Sequence, residues 1–415
     1  MNARQSVTCG IDWAERHHDV ALVDEHGQLV AKRRISDNAE GFAMLTELLA
    51  DAGDNKDNPI PIAIETPRGL LVAALRATDR QVYAINPMAV ARYRDRHSIA
   101  GRKSDHGDSF VLAGVLRTDR HAHHPLPADS ELAQAIAVLA RAHQDATWRR
   151  TKAVQELRAH LREYYPGFLE AVTAAGVTNL ASADARALLA IAPTPAAGVQ
   201  LSRARIAAAL RRGGRQRNID RLADELRQAL RRPQLRQLEL VEHAMGVHAL
   251  SLLAVLNAAC AGMDQLAEAI SESFPKHPDY AVITSFPGLA EVSGARVLAE
   301  IGDDRCRFAD ARALKAYAGS APVTRASGRS HAVTHRRIKN DRLAAVGYTW
   351  AFMALTNAPA ARAHYQRRRD HGDRHAAALR HLFNRMLGQL HHCLQTSQFY
   401  NEHLAFATPT PAAAA

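Results

Sequence analysis

The sequence is poor in cysteine and has no long apolar segment, and each absence excludes a class of protein. Its four cysteines, Cys9, Cys260, Cys306 and Cys393, are scattered without a CxxC pair. This distribution argues against a structural zinc site and against a disulfide framework. No run of about 18 apolar residues occurs, and the first residues lack the apolar core of a signal peptide. We therefore expect a cytoplasmic protein.

The composition is that of a soluble globular protein with a strong positive charge. The 415 residues are 47% hydrophobic and 23% charged, which predicts two or three domains with buried cores. The formal net charge is +11, and arginine supplies far more of it than lysine. An alanine- and arginine-rich chain from a GC-rich genome explains part of this charge. Dense basic patches at 211–217, 336–339 and 367–369 favour contact with nucleic-acid phosphates.

The first part of the chain, residues 1–125, alternates strand and helix patterns. Three strand-like segments come first, and two further strands then alternate with helices. The strands are predicted at 7–12, 18–24, 29–35, 60–65 and 81–85, and the helices at 39–52, 68–78 and 105–117. Three antiparallel strands followed by βαβ units are the order of an α/β RNase H-like (RuvC-like) domain.

The rest of the chain is predicted to be mainly helical. Residues 126–280 have apolar residues at helical spacing, and we favour a coiled-coil arm there, with an ordinary helical bundle as the alternative. Residues 281–400 form a third, mainly helical unit that contains an irregular basic stretch at 319–340. The alanine- and proline-rich end, residues 401–415, is expected to be a disordered tail.

Four acidic residues stand at the ends of elements in the first domain. Asp12 closes the first strand, and Glu65 closes the fourth. Asp105 and Asp108 lie three residues apart at the start of a helix and therefore share one face. Carboxylates at the ends of neighbouring strands, faced by two more from a helix, form an all-oxygen cage suited to Mg²⁺, which phosphodiester chemistry uses. The pattern predicts a nuclease-like enzyme that acts on nucleic acid.

Each acidic residue also has a simpler interpretation when it is taken alone. Asp12 matches a plain turn residue, and Glu65 needs only a partner or a cation. Asp105 or Asp108 matches a helix N-terminal cap, which the helix dipole favours. The four residues together, in this order and on these elements, favour the metal site.

A serine- and arginine-rich loop, residues 317–330, is the second chemical candidate. A serine before a glycine in such a loop approaches a phosphate closely, and the neighbouring guanidinium groups would steady the developing charge. Chemistry alone does not separate Ser327 from Ser320 or Ser330. The basic residues expected to contact nucleic acid are Lys103, Arg325, Arg329, Arg336, Arg337 and Lys339.

Several motifs together resemble those of the DEDD-type insertion-sequence transposases related to the Piv and MooV invertases. These enzymes are described as bridge-RNA-guided recombinases. The resemblance covers nearly the whole chain. The motifs are Gly10-Ile11-Asp12, Glu65-Thr-Pro-Arg-Gly69, Ile85-Asn-Pro87, Lys103-Ser-Asp-His-Gly-Asp108, Phe286-Pro-Gly-Leu289, Ala299-Glu-Ile-Gly302, Phe308-Ala-Asp-Ala-Arg312, Tyr317-Ala-Gly-Ser-Ala-Pro322, Ser327-Gly328 and the basic tract Arg336 to Arg342.

The resemblance implies a fold, an activity and a set of partners. It implies a RuvC-like domain in which the acidic tetrad binds Mg²⁺, and a transposase domain with a nucleophilic serine that maps to Ser327. That serine would attack a DNA phosphate and hold a strand through a phosphoserine bond. The resemblance also implies a homo-oligomer, a dimer or tetramer, that pairs donor and target DNA through a structured noncoding RNA.

The sequence departs from the family pattern in two places and leaves other functions open. Ala290 stands where a glycine is more usual after Pro-Gly-Leu, and the helical insert at 165–235 is long for the family. A RuvC-like endonuclease that hydrolyses DNA junctions with water is the main alternative, followed by a non-catalytic binding protein. A sugar kinase is disfavoured, because no glycine-rich phosphate loop follows the first strand.

Overall fold

The computed structural model describes residues 7–97, 105–328 and 330–406. The chain divides into two compact units, Met1–Ala128 and Asp129–Ala415. The first unit is a mixed α/β structure, and the second is mostly helical, as the sequence predicted.

A five-stranded sheet is the centre of the first unit. Its strands lie in the order β3-β2-β1-β4-β5. The β1–β2 and β2–β3 pairs are antiparallel, whereas β1–β4 and β4–β5 are parallel. The strands are β1 Thr8–Trp13, β2 His17–Val23, β3 Leu29–Ser36, β4 Ile62–Ile64 and β5 Val82–Ala84.

Four helices cover the two faces of this sheet. The first pair packs on one face around Leu45, Leu49 and Leu75, and the second pair packs on the other around Leu112 and Leu116. Alternate residues of each buried strand therefore belong to different cores, which fixes the strand register. The helices are α1 Ala39–Asp51, α2 Leu70–Ala77, α3 Pro87–His97 and α4 Asp105–Asp119.

Two long helices run through the second unit, α5 Glu131–Tyr164 and α11 Glu239–Ser273. They are antiparallel, and the His160 ring lies 2.8 Å from the Met245 carbonyl oxygen near one end of the pair. Each helix is roughly 50 Å long at 1.5 Å per residue. Five shorter helices lie between them in sequence and close a separate apolar core over that end. They are α6 Pro166–Ala174, α7 Ala183–Ile191, α8 Pro195–Val199, α9 Arg203–Arg212 and α10 Ile219–Leu230.

The last part of the second unit packs around Trp350, which is fully buried. This part also contains a two-stranded antiparallel hairpin, β6 Val323–Ser327 and β7 Ser330–Thr334. The helices are α12 Tyr280–Thr284, α13 Glu291–Ile301, α14 Ala311–Tyr317, α15 Asp341–Asn357, α16 Pro359–Asp370, α17 His375–Thr396 and α18 Glu402–Phe406.

Two expectations about this part were wrong. The basic stretch at 319–340 is not irregular throughout, because β-favouring residues flank Gly328, whose positive φ of 54° permits a hairpin. The tail is not disordered from residue 401. Residues 402–406 form α18, in which Ala405 is buried and Phe406 packs against the core. Residues 407–415 lie outside the described part of the chain.

The stretch Glu239–Lys276 is helical, and by length and composition it is apolar enough to cross a membrane. A single such helix is weak support for a span, because α11 packs along α5 and against the helices of the insert. Coiled-coil packing and a cytoplasmic location both stay predictions.

Candidate active site and nucleic-acid interface

Two of the four predicted acidic residues lie at the ends of neighbouring parallel strands. Ile11 of β1 is paired with Ile64 of β4, so Asp12 and Glu65 are the next residues along the two strands. Adjacent strands in a sheet lie about 4.8 Å apart. Both carboxylates are half-buried. The register therefore brings Asp12 and Glu65 together at one edge of the sheet.

Helix α4 covers the sheet face to which Asp12 belongs. Side chains alternate along a strand, so Thr8, Gly10 and Asp12 share this face. The Thr8 hydroxyl donates to the Ala113 carbonyl oxygen at 3.2 Å. A Cβ at Gly10 would lie 2.0 Å from the Ser109 carbonyl oxygen, so only glycine allows this approach. The helix thus runs antiparallel to β1, and its first turn lies at the Asp12 end.

The first turn of α4 supplies the remaining predicted acids. Asp108 is 8% exposed, and its carboxylate forms an ion pair with Arg94 of α3 at 2.6 Å. Asp105 begins the helix, but its side chain lies outside the described residues. Sequence reasoning missed Arg94, since only the packing of α3 on α4 brings it to Asp108.

The donor set suits a hard cation, although a finished site is absent from the part of the chain that the structure describes. Within those residues, no three histidine, cysteine or acidic side chains form a group that would hold a metal ion. The donors of Asp12, Glu65 and Asp108 are all carboxylate oxygens, which Mg²⁺ prefers. The Asp105 carboxylate would complete the predicted set of four. The residue types therefore suit Mg²⁺.

Ser327 lies on an exposed hairpin. It ends β6 opposite Ser330, and Gly328 follows it. Arg325 is two residues earlier on the same strand and so shares its face. Both residues are exposed, and no described residue is hydrogen bonded to the Ser327 hydroxyl. Lys103 and Arg329, two of the predicted phosphate contacts, lie outside the described residues.

Ser320, in contrast, is a structural residue. It is only 4% exposed, and its hydroxyl lies 3.0 Å from the Asn384 side-chain oxygen and 3.2 Å from the Lys315 carbonyl oxygen. This buried hydroxyl has two acceptors close by, whereas Ser327 is exposed. The structure therefore favours Ser327 over Ser320 as the reactive serine.

A small basic cavity lies beside the hairpin. Its volume is about 200 Å³. The predicted residues Arg336 and Lys339 line it, while Arg337 is exposed. Lys339 also forms an ion pair with Asp341 at 2.6 Å. His335 and Arg380 add further donors. Arg380 belongs to α17, and no local pattern in the sequence connects it with the basic tract.

Buried polar contacts hold the end of the hairpin segment. The Asn340 amide nitrogen donates to Glu300 and to the Tyr317 hydroxyl, each at 2.7 Å. Glu300 is 3% exposed and pairs with Arg141 of α5 at 2.8 Å. Buried hydrogen bonds and an ion pair therefore hold the chain in place just after the hairpin.

Two residues after Arg141 on α5, a histidine contacts α13, the helix that contains Glu300. His143 is 6% exposed, and Arg296 of α13 donates to its Nδ1 at 2.8 Å. Burial, reinforced by the Arg296 charge, lowers the pKa of His143 to about 4. The ring is therefore neutral near pH 7 and acts as an acceptor.

The Pro287-Gly288-Leu289 turn serves packing. Gly288 has a φ of 86°, and a Cβ there would lie 2.8 Å from backbone atoms of α15. The Trp350 indole donates to the Pro287 carbonyl oxygen at 3.0 Å. This buried arrangement favours a structural role over phosphate contact.

Comparison with known proteins gives matches at both ends of the chain. A family model described as a transposase matches residues 9–166, and one described as transposase IS116/IS110/IS902 family matches residues 280–366. The chain is 57% identical over 409 residues to the "Mini-circle putative transposase for IS117" of Streptomyces coelicolor, covering 99% of both chains.

Two further relatives are more distant. An IS110 insertion-element protein of Streptomyces coelicolor is 30% identical over 73% of each chain. An IS900 insertion-element protein of Mycobacterium paratuberculosis is 29% identical over 99% of this chain and 100% of its own.

Proposed function

This chain belongs to the IS116/IS110/IS902 family of transposases, and on that premise we propose that it excises and inserts a mobile DNA element by strand exchange through a phosphoserine intermediate. Membership makes it a DNA-processing enzyme of transposition. The observation that supports the mechanism best is the pairing of β1 with β4, which brings Asp12 beside Glu65 under the start of α4. We infer that the sheet is an RNase H-like (RuvC-like) fold.

The acidic group would supply the electrostatic part of catalysis. Asp12, Glu65, Asp105 and Asp108 would hold Mg²⁺, whose chemistry is to neutralise charge that develops on a phosphate during displacement. The carboxylates would bind this cation and fix its position relative to the phosphate. Arg94 keeps the Asp108 carboxylate in place at 2.6 Å.

Ser327 would be the nucleophile. Its Oγ loses a proton and forms a bond to a DNA phosphorus while one ester P–O bond breaks, and the leaving oxygen takes up a proton to become a free hydroxyl. A hydroxyl from another strand then reverses the step and regenerates the serine. One phosphodiester replaces another at each stage, so no external energy source is needed. Arg325, Arg329, Arg336, Arg337, Lys339 and Lys103 would contact the backbone phosphates.

We propose two partners besides donor and target DNA. A structured noncoding RNA would guide the choice of target, as the family resemblance implies. A second copy of the chain would pack on the exposed apolar face of α11, where Leu240, Val247 and Val255 are 84%, 57% and 56% exposed. Leu240, Ala244, Val247, Ser251, Ala254 and Ala258 follow one another at alternating spacings of four and three, which is the spacing of a coiled-coil seam.

Trapping of a protein–DNA adduct tests the mechanism. Wild-type protein, incubated with element-end DNA and Mg²⁺ and then denatured, should retain a covalently bound strand. Ser327→Ala should lose the adduct, while Ser330→Ala, a matched change across the hairpin, should keep it. Asp105→Asn should lose the adduct while binding DNA at near wild-type affinity.

Other outcomes would assign a different function. Cleavage with free 5′-phosphate ends and no adduct would support the junction endonuclease that uses water. An undiminished adduct in Ser327→Ala would remove this serine from the mechanism. DNA binding without cleavage by the wild-type protein would support the non-catalytic alternative.

Two measurements test the partners. A discrete RNA that co-purifies with the protein and is encoded beside the gene is expected, and heterogeneous RNA alone would contradict guidance. Light scattering should show an oligomer that Val247→Glu with Ala254→Glu converts to monomer. An unchanged mass would place the interface elsewhere.

A further inference from the structure

The helical insert, residues 166–238, accounts for most of the net positive charge of the chain. It has twelve arginines and no lysine against five acidic residues, a net charge of +7 out of +11 for the whole protein. These residues are distant in sequence from the predicted acidic tetrad, which we call the acidic edge, and from the hairpin at 323–334. The proposed chemistry therefore gives them no role. A net charge of this size on so short a segment favours binding of an anionic partner.

Three exposed arginines of the insert stand close together at the turn between α9 and α10. Arg211 and Arg212 end α9, and Arg217 stands just before α10. All three are exposed, and none forms an ion pair with a described residue. Elsewhere in the insert, Arg203 is neutralised by two carboxylates of α10, each at 2.9 Å. The turn therefore concentrates three exposed arginines without a described ion pair within residues 211–217.

The turn is held in one conformation by contacts with α7. Arg215 forms an ion pair with Asp184 at 2.6 Å, and Asp184 is largely buried. A Cβ at Gly213 would lie 2.9 Å from backbone atoms of Ala183 and Asp184, and Gly214 has a φ of 81°. The close approach to α7 thus requires glycine at 213, and the positive φ favours glycine at 214. The three free guanidinium groups are presented from a fixed support, which lowers the entropic cost of binding.

The composition around the turn indicates which anion it fits. Residues 169–242 contain no phenylalanine, tyrosine, tryptophan or histidine. Proteins that bind single strands stack bases on aromatic rings, and this segment has none to offer. Guanidinium groups instead match phosphate oxygens in two-point hydrogen bonds. The surface is therefore suited to a backbone whose bases are already stacked in a duplex.

We propose that the α9–α10 turn, residues 211–217, is a docking site for the phosphate backbone of duplex DNA, remote in sequence from the catalytic groups. Arg211, Arg212 and Arg217 contact phosphates, while Arg215 holds the turn to α7. The proposal rests on DNA as the substrate of the transposase family. It adds a contact that strengthens binding regardless of base sequence.

Binding of the full-length protein to a labelled DNA duplex, without Mg²⁺, tests this site. The triple variant Arg211→Gln, Arg212→Gln and Arg217→Gln should bind roughly tenfold or more weakly near 0.15 M salt, and its log–log salt slope should be smaller by about three. The matched control is Arg205→Gln, Arg231→Gln and Arg232→Gln. It removes the same charge from exposed positions of the same insert outside the turn, and it should bind within about twofold of wild type, because none of its three arginines faces a phosphate in the proposed complex. Thermal unfolding of both variants checks that they fold.

The possible results separate the proposal from its rivals. Equal weakening by the two triple variants would mean general charge rather than the turn, and unchanged binding would also overturn the site. Loss of binding to an RNA duplex with DNA binding retained would assign the turn to RNA and refute the proposal. With DNA at saturating concentration, the 211–217 variant should still form the Ser327 adduct. Absence of that adduct in wild type would contradict the chemistry and leave the binding result standing.

Discussion

The acidic edge of the first unit and the serine hairpin of the second are built in opposite ways. Asp12 and Glu65 extend strands inside a five-stranded sheet with a packed core on each face. Ser327 ends an exposed strand of a two-stranded sheet, and such a hairpin is only marginally stable by itself. Packing thus positions Asp12 and Glu65 before any DNA binds, whereas the proposed nucleophile lies on an element that a bound partner would have to stabilise.

Gly10→Val should give the largest effect, because it attacks the packed side of this comparison. A Cβ at this position would lie 2.0 Å from the Ser109 carbonyl oxygen, so α4 must move away from β1. We expect a loss of about 3 kcal/mol in the free energy of unfolding of the first unit. Urea denaturation measures this loss of free energy, and limited proteolysis shows whether the first unit is the part that unfolds. An unchanged midpoint would show that α4 is not tightly packed on the strand.

The sequence could predict this packed region because its patterns are local. Apolar strands that end in Asp12 and Glu65, and the order of strands and helices, indicate the mixed sheet. The hairpin was missed because arginines and small polar residues interrupt the alternation of apolar and polar residues that is typical of a strand. The turn is identified only by the positive φ of Gly328 in the structure. Arg94 and Arg380 were missed for another reason. Arg94 pairs with a residue of another helix, and Arg380 lines the cavity with residues of the basic tract, which lies about 40 residues earlier in the chain. No spacing in the sequence records such contacts.

The contact between His143 and Arg296, which lies beneath the base of the hairpin, should become less stable in acid. The pKa of His143 in the folded chain is about 4, below its ordinary 6.5, because of burial and the Arg296 charge. The unfolded chain therefore binds more protons between these values, so stability is constant above about pH 6.5 and falls as pH drops toward 4. After allowance for solvent screening, we expect a loss of about 1–2 kcal/mol.

Two variants assign this acid sensitivity. His143→Gln retains an acceptor for Arg296 and cannot titrate, so its unfolding free energy should depend less on pH. His364, whose pKa is also lowered to about 4 by burial and by Arg385, is the matched second site. The variant with both His143→Gln and His364→Gln should show the smallest change of unfolding free energy with pH, in denaturant titrations between pH 7 and 4. If His143→Gln retained the full dependence, the sensitivity would belong to other groups.

Arg94→Gln should have a moderate effect on the acidic edge. Arg94 neutralises Asp108 at 2.6 Å and would compete with a cation for that carboxylate. Removing its charge should raise the affinity for Mn²⁺, used as a probe for Mg²⁺ in calorimetry, by about fivefold, the equivalent of about 1 kcal/mol. Arg96→Gln is the control, because Arg96 pairs with the more exposed Asp119 of α4 at 3.2 Å. Equal changes in both variants would mean that net charge alone sets the affinity.

Gly328→Ala should have the smallest effect and is the counterpart of Gly10→Val. The φ of 54° strains any ordinary side chain by about 1 kcal/mol, but no described atom lies within 4 Å of an added Cβ. We expect faster amide exchange across residues 323–334, with the global free energy of unfolding changed by less than about 0.5 kcal/mol. Gly328→Asn should exchange more slowly than the alanine variant, because asparagine tolerates this conformation. A global loss of unfolding free energy as large as that of Gly10→Val would mean that the hairpin belongs to the core. The contrast between a packed acidic edge and an exposed hairpin that carries the proposed nucleophile would then be wrong.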